Sequence, residues 1–269
     1  MSPFLSLIIP TLNEEEYLPN LLSDLTQQSY TDFEVLVIDG NSDDKTQDKS
    51  MPYFQKLAGE FSVVDKCNVS YQRNHGAAIA QGKYLFFIDA DSRLQKNSLE
   101  KLVKEINDSR YLIYIPTALP DTDDYQDEIY LKVINYGVEL SQSMGKPFAS
   151  AGTFVIETNF FKHLQGFNET LFVAEDQEII QRAKEYGVSA KFMKDVTFQF
   201  SMRRLKKDGL AQTLYKYSVA VFYTLTNGGL DKKLFEYEMG GKRYKDKPSK
   251  DNFSEIHNLY KKLKKQLES

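Results

Sequence analysis

The chain contains few of the residues that cross-link small folds or hold transition metals. Its 269 residues include one cysteine, Cys67, so no disulfide framework can form within the chain, and a reducing compartment is indicated. The three histidines, His75, His163 and His257, lie far apart in the sequence, which argues against a metal site built from cysteine and histidine. Protein classes that depend on either feature are therefore excluded.

Long apolar runs are also missing. No window reaches the roughly 18 to 20 consecutive apolar residues that a membrane-spanning helix requires. The N-terminus lacks the basic start and the small-residue cleavage site of a signal peptide, and residues 1–10 are typical of a first strand. The composition, with 41% apolar and 27% charged residues, is that of an ordinary globular protein. We expect a cytoplasmic location.

The net charge of −4 is unevenly distributed along the chain. Residues 201–269 contain 16 Lys and Arg against 8 Asp and Glu, a net charge of +8, which leaves −12 on residues 1–200. A basic C-terminal region on an acidic body is suited to phosphates or to an anionic surface, including peripheral contact with the inner face of a membrane. A solvated helical tail is the alternative explanation for the same charges.

Apolar runs alternate with helical patterns over the first hundred residues. This alternation predicts an α/β fold with a doubly wound, mainly parallel sheet flanked by helices. The small residues of Asn74–Gln81 suggest a helix that packs closely on the sheet. The predicted strands are Leu5–Pro10, Glu34–Asp39, Phe61–Val64 and Lys83–Ile88.

The pattern becomes less regular after residue 91. We expect a catalytic domain over residues 1–200 and a basic, mostly helical extension over residues 201–269. The further predicted elements are strands at Tyr111–Ile115 and Thr153–Ile156 and helices at Ser98–Ile106, Ile129–Ser143, Asp176–Tyr186, Leu210–Leu225 and Phe253–Leu267.

Two carboxylates directly follow the most apolar of the predicted strands. Asp89 and Asp91 come after Tyr84–Ile88, and ligands of open α/β sheets bind at the carboxyl ends of such strands. Carboxylate and phosphate oxygens are the ligands that Mg²⁺ and Mn²⁺ prefer, so this pair could share a divalent cation with a phosphorylated ligand. A polar loop that merely ends a strand is the alternative.

Six short motifs follow one another along the chain in a distinctive order. They are Ile9-Pro10-Thr11-Leu12-Asn13-Glu14, Val37-Ile38-Asp39-Gly40-Asn41-Ser42-Asp43, Gly76 to Tyr84, Phe87-Ile88-Asp89-Ala90-Asp91, Gly166-Phe167-Asn168-Glu169 and Ala174-Glu175-Asp176-Gln177-Glu178. In their order and spacing these motifs resemble the family-2 glycosyltransferases of GT-A fold. The resemblance covers roughly residues 5–195.

The resemblance implies a role for each group. Asp176 would be the general base of an inverting transfer, and a divalent cation, Mn²⁺ or Mg²⁺, would be held by Asp91 with help from Asp89. The remaining residues are assigned to the donor nucleotide, namely Pro10, Thr11, Asn13, Glu14, Asp39, Arg73 and Asp89, and to a phosphate or the acceptor, namely Glu175, Arg203 and Arg204.

This sequence departs from the family pattern at two positions. Many relatives have an aromatic residue where Leu12 stands and a second acid where Gly40 stands, so UDP is a preference and not a deduction. Simpler explanations also exist for single residues. Asp176 could merely stand at the start of a helix, where carboxylates are favoured, and Arg73 could be a surface residue.

We therefore predict a transferase that moves a sugar from a nucleotide-diphosphate sugar, with UDP preferred, to a hydroxyl of a glycan or a lipid-linked intermediate. One alternative is a pseudo-glycosyltransferase that binds a nucleotide sugar or glycan without transfer. Another is a phosphatase of the haloacid-dehalogenase type, whose nucleophile would be Asp89. In such phosphatases the motif, an apolar strand followed by Asp-x-Asp, normally stands at the first strand of the fold. Here three strand–helix units precede Asp89.

Overall fold

A seven-stranded sheet forms the centre of the protein. The computed structural model describes residues 2–143, 152–171, 173–209, 212–213 and 240–241. The strand order is β3-β2-β1-β4-β6-β5-β7. The strands are β1 (Leu5–Thr11), β2 (Phe33–Asp39), β3 (Gly59–Val63), β4 (Tyr84–Phe87), β5 (Ile113–Pro120), β6 (Phe154–Glu157) and β7 (Ala190–Phe200).

Most of the strands run in the same direction, as predicted. The pairs β1–β2, β1–β4, β2–β3 and β5–β7 are parallel, and only β6 runs antiparallel to its neighbours β4 and β5. The doubly wound, mainly parallel sheet predicted from the sequence is therefore confirmed. The antiparallel β6 brings its first residues to the carboxyl end of β4, since Phe154 pairs with Phe87.

Helices cover both faces of the sheet because successive side chains of a buried strand point to opposite faces. Leu7 and Ile9 of β1 pack into the same cluster as the apolar stripe of the first helix, whereas Ile8 belongs to the cluster on the other face. The helices are α1 (Leu18–Thr26), α2 (Thr46–Ser50), α3 (Val69–Ile79), α4 (Ser98–Ser109), α5 (Tyr125–Ser143), α6 (Thr158–His163), α7 (Glu175–Glu185) and α8 (Arg203–Asp208).

Helix α3 packs as closely on the sheet as its small residues suggested. A Cβ atom added at Gly76 would lie 2.6 Å from Ile8 Cγ2, so only glycine fits there without a shift. The helix begins five residues earlier than predicted, because the side chain of Asn68 accepts a hydrogen bond from the backbone N–H of Tyr71 and caps it.

Other differences concern the second half of the chain. Strand β7 was not predicted, because its alternation of buried and exposed residues is weak and interrupted by a register shift against β5. Helix α5 begins at Tyr125, four residues before the predicted start. The predicted helices Leu210–Leu225 and Phe253–Leu267 lie almost wholly outside the described residues. Within the described ranges, no helix combines the length and the apolar character needed to cross a bilayer.

Candidate active site

The carboxyl ends of β1 and β2 lie side by side and hold two polar loops together. Thr11 pairs with Asp39 at the ends of the two strands. The buried Asp39 carboxylate accepts hydrogen bonds from the backbone N–H and the hydroxyl of Ser42, and Ser42 Oγ in turn accepts the backbone N–H of Asn13 at 2.7 Å. Burial raises the pKa of Asp39, and the bonds from Ser42 oppose that rise. Asp39 therefore fixes the turn that follows β1.

Gln72, which the sequence analysis did not single out, joins the same two strand ends. Its side-chain amide donates to the carbonyl oxygens of Thr11 and Ile38, at 2.8 and 2.7 Å. Gly40 lies against this amide, because a Cβ at Gly40 would be 3.3 Å from Gln72 Nε2. The Thr11 hydroxyl oxygen is buried and has no hydrogen-bond partner within the part of the chain that the structure describes. It is a buried polar group that these residues leave unsatisfied at the end of β1.

Arg73 lies at the centre of a buried ionic cluster. Its side chain is 2% exposed, and its guanidinium donates to Glu175 Oε1 at 2.6 Å and to Asp89 Oδ1 at 2.8 Å. The same group contacts the carbonyl oxygen of Gly152 at 3.3 Å and lies over the ring of Phe167. Although burial alone would lower the pKa of Arg73, the neighbouring carboxylates raise it, so the cation is retained.

Asp176 begins helix α7 next to this cluster. One of its oxygens accepts the backbone N–H of Gln177 at 2.8 Å, and the other accepts the N–H of Gly152 at 3.1 Å. Burial, followed by repulsion from Glu175, raises the pKa of Asp176 to about 7, while Arg73 opposes the rise. A carboxyl group with such a pKa can accept a proton near neutral pH.

A second arginine joins the β1 turn to the strand-end aspartates. Arg203, at the start of α8, donates through Nε to Asp91 Oδ2 at 2.9 Å and through both terminal nitrogens to the Glu14 carboxylate. Its guanidinium lies 4.4 Å above the ring of Tyr17, another residue that the sequence analysis missed. Burial raises the pKa of Glu14 to about 7, and the bonds from Arg203 oppose that rise.

The two strand-end aspartates fit a divalent cation that is shared with a ligand. One carboxylate oxygen of Asp89 accepts a hydrogen bond from Arg73, and one of Asp91 accepts a hydrogen bond from Arg203. Within the described residues, the second oxygen of each aspartate makes no hydrogen bond. Their side chains are 37% and 21% exposed, so these oxygens can reach a bound molecule. No group of three or more potential ligands is found within the described residues. The donor set therefore suits a cation completed by phosphate oxygens and water.

The structure brings most of the predicted site residues to one edge of the sheet. Two ionic groups are formed there: Glu14, Arg203 and Asp91 on one side, and Asp89, Arg73 and Glu175 with the adjoining Asp176 on the other. Of the remaining predicted residues, Pro10 lies within β1 and pairs with Ile38, and Arg204 follows Arg203 in α8. Gln72 and Tyr17 carried no signal in the sequence, since neither stands in a motif with a distinctive spacing.

Replacing Arg73 with methionine is expected to destabilise the protein by about 3 kcal/mol, because the largely buried Glu175 carboxylate loses its counter-ion together with the more exposed Asp89. Chemical unfolding at pH 7 would measure the loss. Arg93→Met is the matched control, since the Arg93 side chain is 45% exposed in its pair with Asp24 and such a pair is worth below about 1 kcal/mol. Equal losses in the two variants would contradict the central place given to Arg73.

Comparison with known protein families supports the order of motifs. Residues 6–164, more than half of the chain, match the model of the family described as "Glycosyl transferase family 2". The chain is 30% identical over 139 residues to the amylovoran biosynthesis glycosyltransferase AmsB of Erwinia amylovora, covering 48% of this chain and 44% of that protein. It is also 30% identical over 102 residues to the putative teichuronic acid biosynthesis glycosyltransferase TuaG of Bacillus subtilis, covering 37% and 40%. The matches thus span less than half the length of these relatives.

Solved structures share the fold. The mannosyltransferase PcManGT from Pyrobaculum calidifontis, in complex with GDP-Man and Mn2+, superimposes with a TM-score of 0.66 at 19% identity, covering 81% of this chain and 61% of that one. S. aureus TarS 1-349 in complex with UDP-GlcNAc gives a TM-score of 0.59 at 22% identity, covering 84% and 68%. The sheet and its flanking helices are therefore of the GT-A type, as predicted.

Proposed function

Because the chain belongs to glycosyl transferase family 2, we propose that it is an inverting glycosyltransferase that moves a sugar from a nucleotide-diphosphate sugar, with UDP preferred, to a hydroxyl acceptor. The acceptor is proposed to be a glycan or a lipid-linked intermediate. AmsB and TuaG, with their roles in amylovoran and teichuronic acid biosynthesis, support a place in polysaccharide biosynthesis.

One observation carries the proposal. Asp176, whose pKa is raised to about 7, adjoins the cluster in which Arg73 binds Glu175 and Asp89. Asp91 follows Asp89 after one residue and binds Arg203. The site thus combines a candidate general base with a candidate pair of cation ligands. An inverting transfer requires both: negative charge develops on the leaving diphosphate while the attacking hydroxyl loses its proton. Because Arg73 binds Asp89 and lies beside Asp176, we propose that the base and the cation site serve opposite ends of one displacement.

The proposed reaction is a single displacement. The acceptor oxygen forms a bond to the anomeric carbon as the bond from that carbon to the diphosphate oxygen breaks, and the electron pair of the broken bond leaves with the nucleotide. Asp176 takes the hydroxyl proton during the attack. Attack from the side opposite the leaving group inverts the configuration of the anomeric carbon.

The donor nucleotide is proposed to bind at the ends of β1 and β2. The adjoining ends of the two strands, and the turn after β1 that Ser42 holds in place, support a binding site there. Asp39 and the backbone of the turn would face the nucleoside. The residues assigned to the nucleotide are Pro10, Thr11, Asn13, Glu14, Asp39, Arg73 and Asp89.

Asp89 and Asp91 would hold a divalent cation, Mn²⁺ or Mg²⁺, which when bound neutralises the diphosphate charge as it leaves. Arg203 and Arg204 are proposed to contact the diphosphate or an acceptor phosphate, since a guanidinium binds phosphate oxygens in pairs. Glu175 would act on the acceptor side. Its carboxylate accepts a hydrogen bond from Arg73, next to Asp176.

A thermal-shift panel of nucleotides and nucleotide sugars, measured with Mn²⁺ and again with EDTA, tests the proposal. A ligand that binds only the folded state raises the melting temperature by mass action. We expect a uridine diphosphate or its sugar to give the largest shift with the cation present. A product assay with the ligand that binds then separates a transferase from a protein that binds nucleotide sugars without transfer.

We also propose that the protein acts in the cytoplasm and that its basic region, residues 201–269, contacts anionic lipids at the inner membrane face. Replacing Lys261, Lys262, Lys264 and Lys265 with glutamate is expected to weaken binding to phosphatidylserine vesicles at least tenfold, since each well-placed lysine contributes about 1 kcal/mol. Co-sedimentation at low salt would measure it. The same exchange at four exposed body lysines, Lys56, Lys96, Lys101 and Lys104, is the control. Equal effects of the two sets, or no binding by the unaltered protein, would refute membrane contact.

A further inference from the structure

A pair of glycines far along the chain lies against the turn that follows β1. The backbone N–H of Gly241 donates a hydrogen bond to the carbonyl oxygen of Leu12 at 3.0 Å. The turn and the glycine pair are separated by more than 220 residues in sequence. The sequence alone presents Gly240 and Gly241 only as a break between polar segments, so this contact is decided by the tertiary structure.

Each glycine is required for a separate steric reason. A Cβ at Gly241 would lie 1.9 Å from the carbonyl oxygen of Asn13, a distance that real atoms cannot adopt without backbone movement. Gly240 has a φ angle of +92°, which disfavours any residue with a side chain, and its Cβ would lie 2.8 Å from the carbonyl oxygen of Leu12. The two backbones therefore meet as closely as glycine permits.

The turn that these glycines contact is the proposed nucleotide-binding turn. Asn13 has a φ angle of +54°, and its backbone N–H is held by Ser42, while the backbone N–H of Glu14 donates to Thr46 Oγ1 at 2.8 Å. These bonds fix the turn from the side of β2. The bond from Gly241 fixes it from the opposite end of the sequence.

The Leu12 side chain takes part in the same contact. A Cβ atom added at Gly240 would lie 3.0 Å from Leu12 Cδ2 and 3.1 Å from Leu12 Cγ, so a side chain at position 240 would press on Leu12. Both the backbone and the side chain of Leu12 therefore lie against Gly240.

We propose that Gly240 and Gly241 are positioning residues for the donor site, which hold the turn Leu12–Glu14 in the conformation that binds the nucleotide. This inference rests on the proposed function, because it assigns the glycine pair to the same donor site. The glycines act through the turn: they set the backbone of Asn13 and the direction of Glu14, whose carboxylate binds Arg203.

In the test, Gly240 and Gly241 are each replaced with alanine, and the same replacement is made at two control glycines. Gly187 shares the positive φ of Gly240 but has no atom within 4 Å of an added Cβ, and Gly137 is equally open without that φ. Gly241→Ala is expected to raise the dissociation constant of UDP with Mn²⁺, and the KM of the donor, at least tenfold. The KM of the acceptor should change less than threefold. Gly137→Ala and Gly187→Ala should leave the UDP constant unchanged.

Hydrogen exchange, read by mass spectrometry, provides a measurement that needs no activity. In the unaltered protein the amide of Gly241 should be protected, and in Gly241→Ala the amides of residues 12–15 should exchange at least tenfold faster while those of β4 do not change. If Gly241→Ala does not fold, Gly240→Ala replaces it, because part of its clash is with the movable Leu12 side chain.

Two results would overturn the inference: an unprotected Gly241 amide in the unaltered protein, or UDP affinity in both glycine variants equal to that of the controls. Failure of the proposed function gives a different result. In that case UDP and its sugars do not bind the unaltered protein, while the exchange measurements still report whether the glycine pair holds the turn.

Discussion

Asp176→Asn should lower turnover by about 10²-fold or more while leaving the affinity for the donor nearly intact, because a general base contributes to the transition state and not to donor binding. Asparagine keeps the size of the side chain and one oxygen to accept the backbone N–H of Gly152 or Gln177. Turnover assays and calorimetry with UDP and Mn²⁺ would measure the two effects. Near-normal turnover would eliminate Asp176 as the base.

The pH dependence provides an independent check on the same residue. Since the pKa of Asp176 is raised to about 7, turnover of the unaltered enzyme should rise with pH and reach half its maximum near pH 7. For the same reason, the ionised carboxylate is disfavoured in the folded protein, so its contribution to stability falls as pH rises from about 4 to about 7. Asp176→Asn should therefore be at least as stable as the parent at pH 8, which separates loss of activity from unfolding. Asp195→Asn, at an exposed position on β7, is the control.

Asp91→Asn should nearly abolish transfer and should also weaken metal-dependent binding of the donor. The amide removes a charged oxygen ligand of the proposed cation, and it weakens the ion pair that Asp91 makes with Arg203. Calorimetry of UDP with Mn²⁺ and with EDTA should show a large difference in affinity for the parent and a much smaller one for the variant.

The matched control is Asp108→Asn, which alters an exposed aspartate in the last turn of α4 by the same chemical change. It should behave like the parent in both measurements. A parent enzyme that binds UDP equally well in EDTA, and turns over there, would refute the role given to the cation. Donor affinity distinguishes Asp91→Asn from Asp176→Asn, because we expect it to fall in the first variant and to stay nearly intact in the second.

Local patterns in the sequence determined the core of the fold and the position of the strand-end pair Asp89 and Asp91. A parallel strand that is covered on both faces is apolar over most of its length, so β1, β2 and β4 could be recognised without knowledge of their neighbours. The place of Asp89 and Asp91 followed because carboxyl ends of parallel strands share one edge. The weaker alternation of β7 and the antiparallel insertion of β6 were not evident, since both depend on partners distant in sequence.

Only the tertiary structure decided which charges meet. Arg73 pairs with Glu175, 102 residues away, and Arg203 pairs with Glu14, 189 residues away. The periodicity of apolar residues does not predict such ion pairs, because they depend on the crossovers that bring separate strand ends together. The same holds for Gly240 and Gly241, whose need for glycine arises from the carbonyl oxygens of Leu12 and Asn13 that they contact. Apolar periodicity is a property of each segment alone, whereas an ion pair or a close backbone approach is a property of two segments after folding.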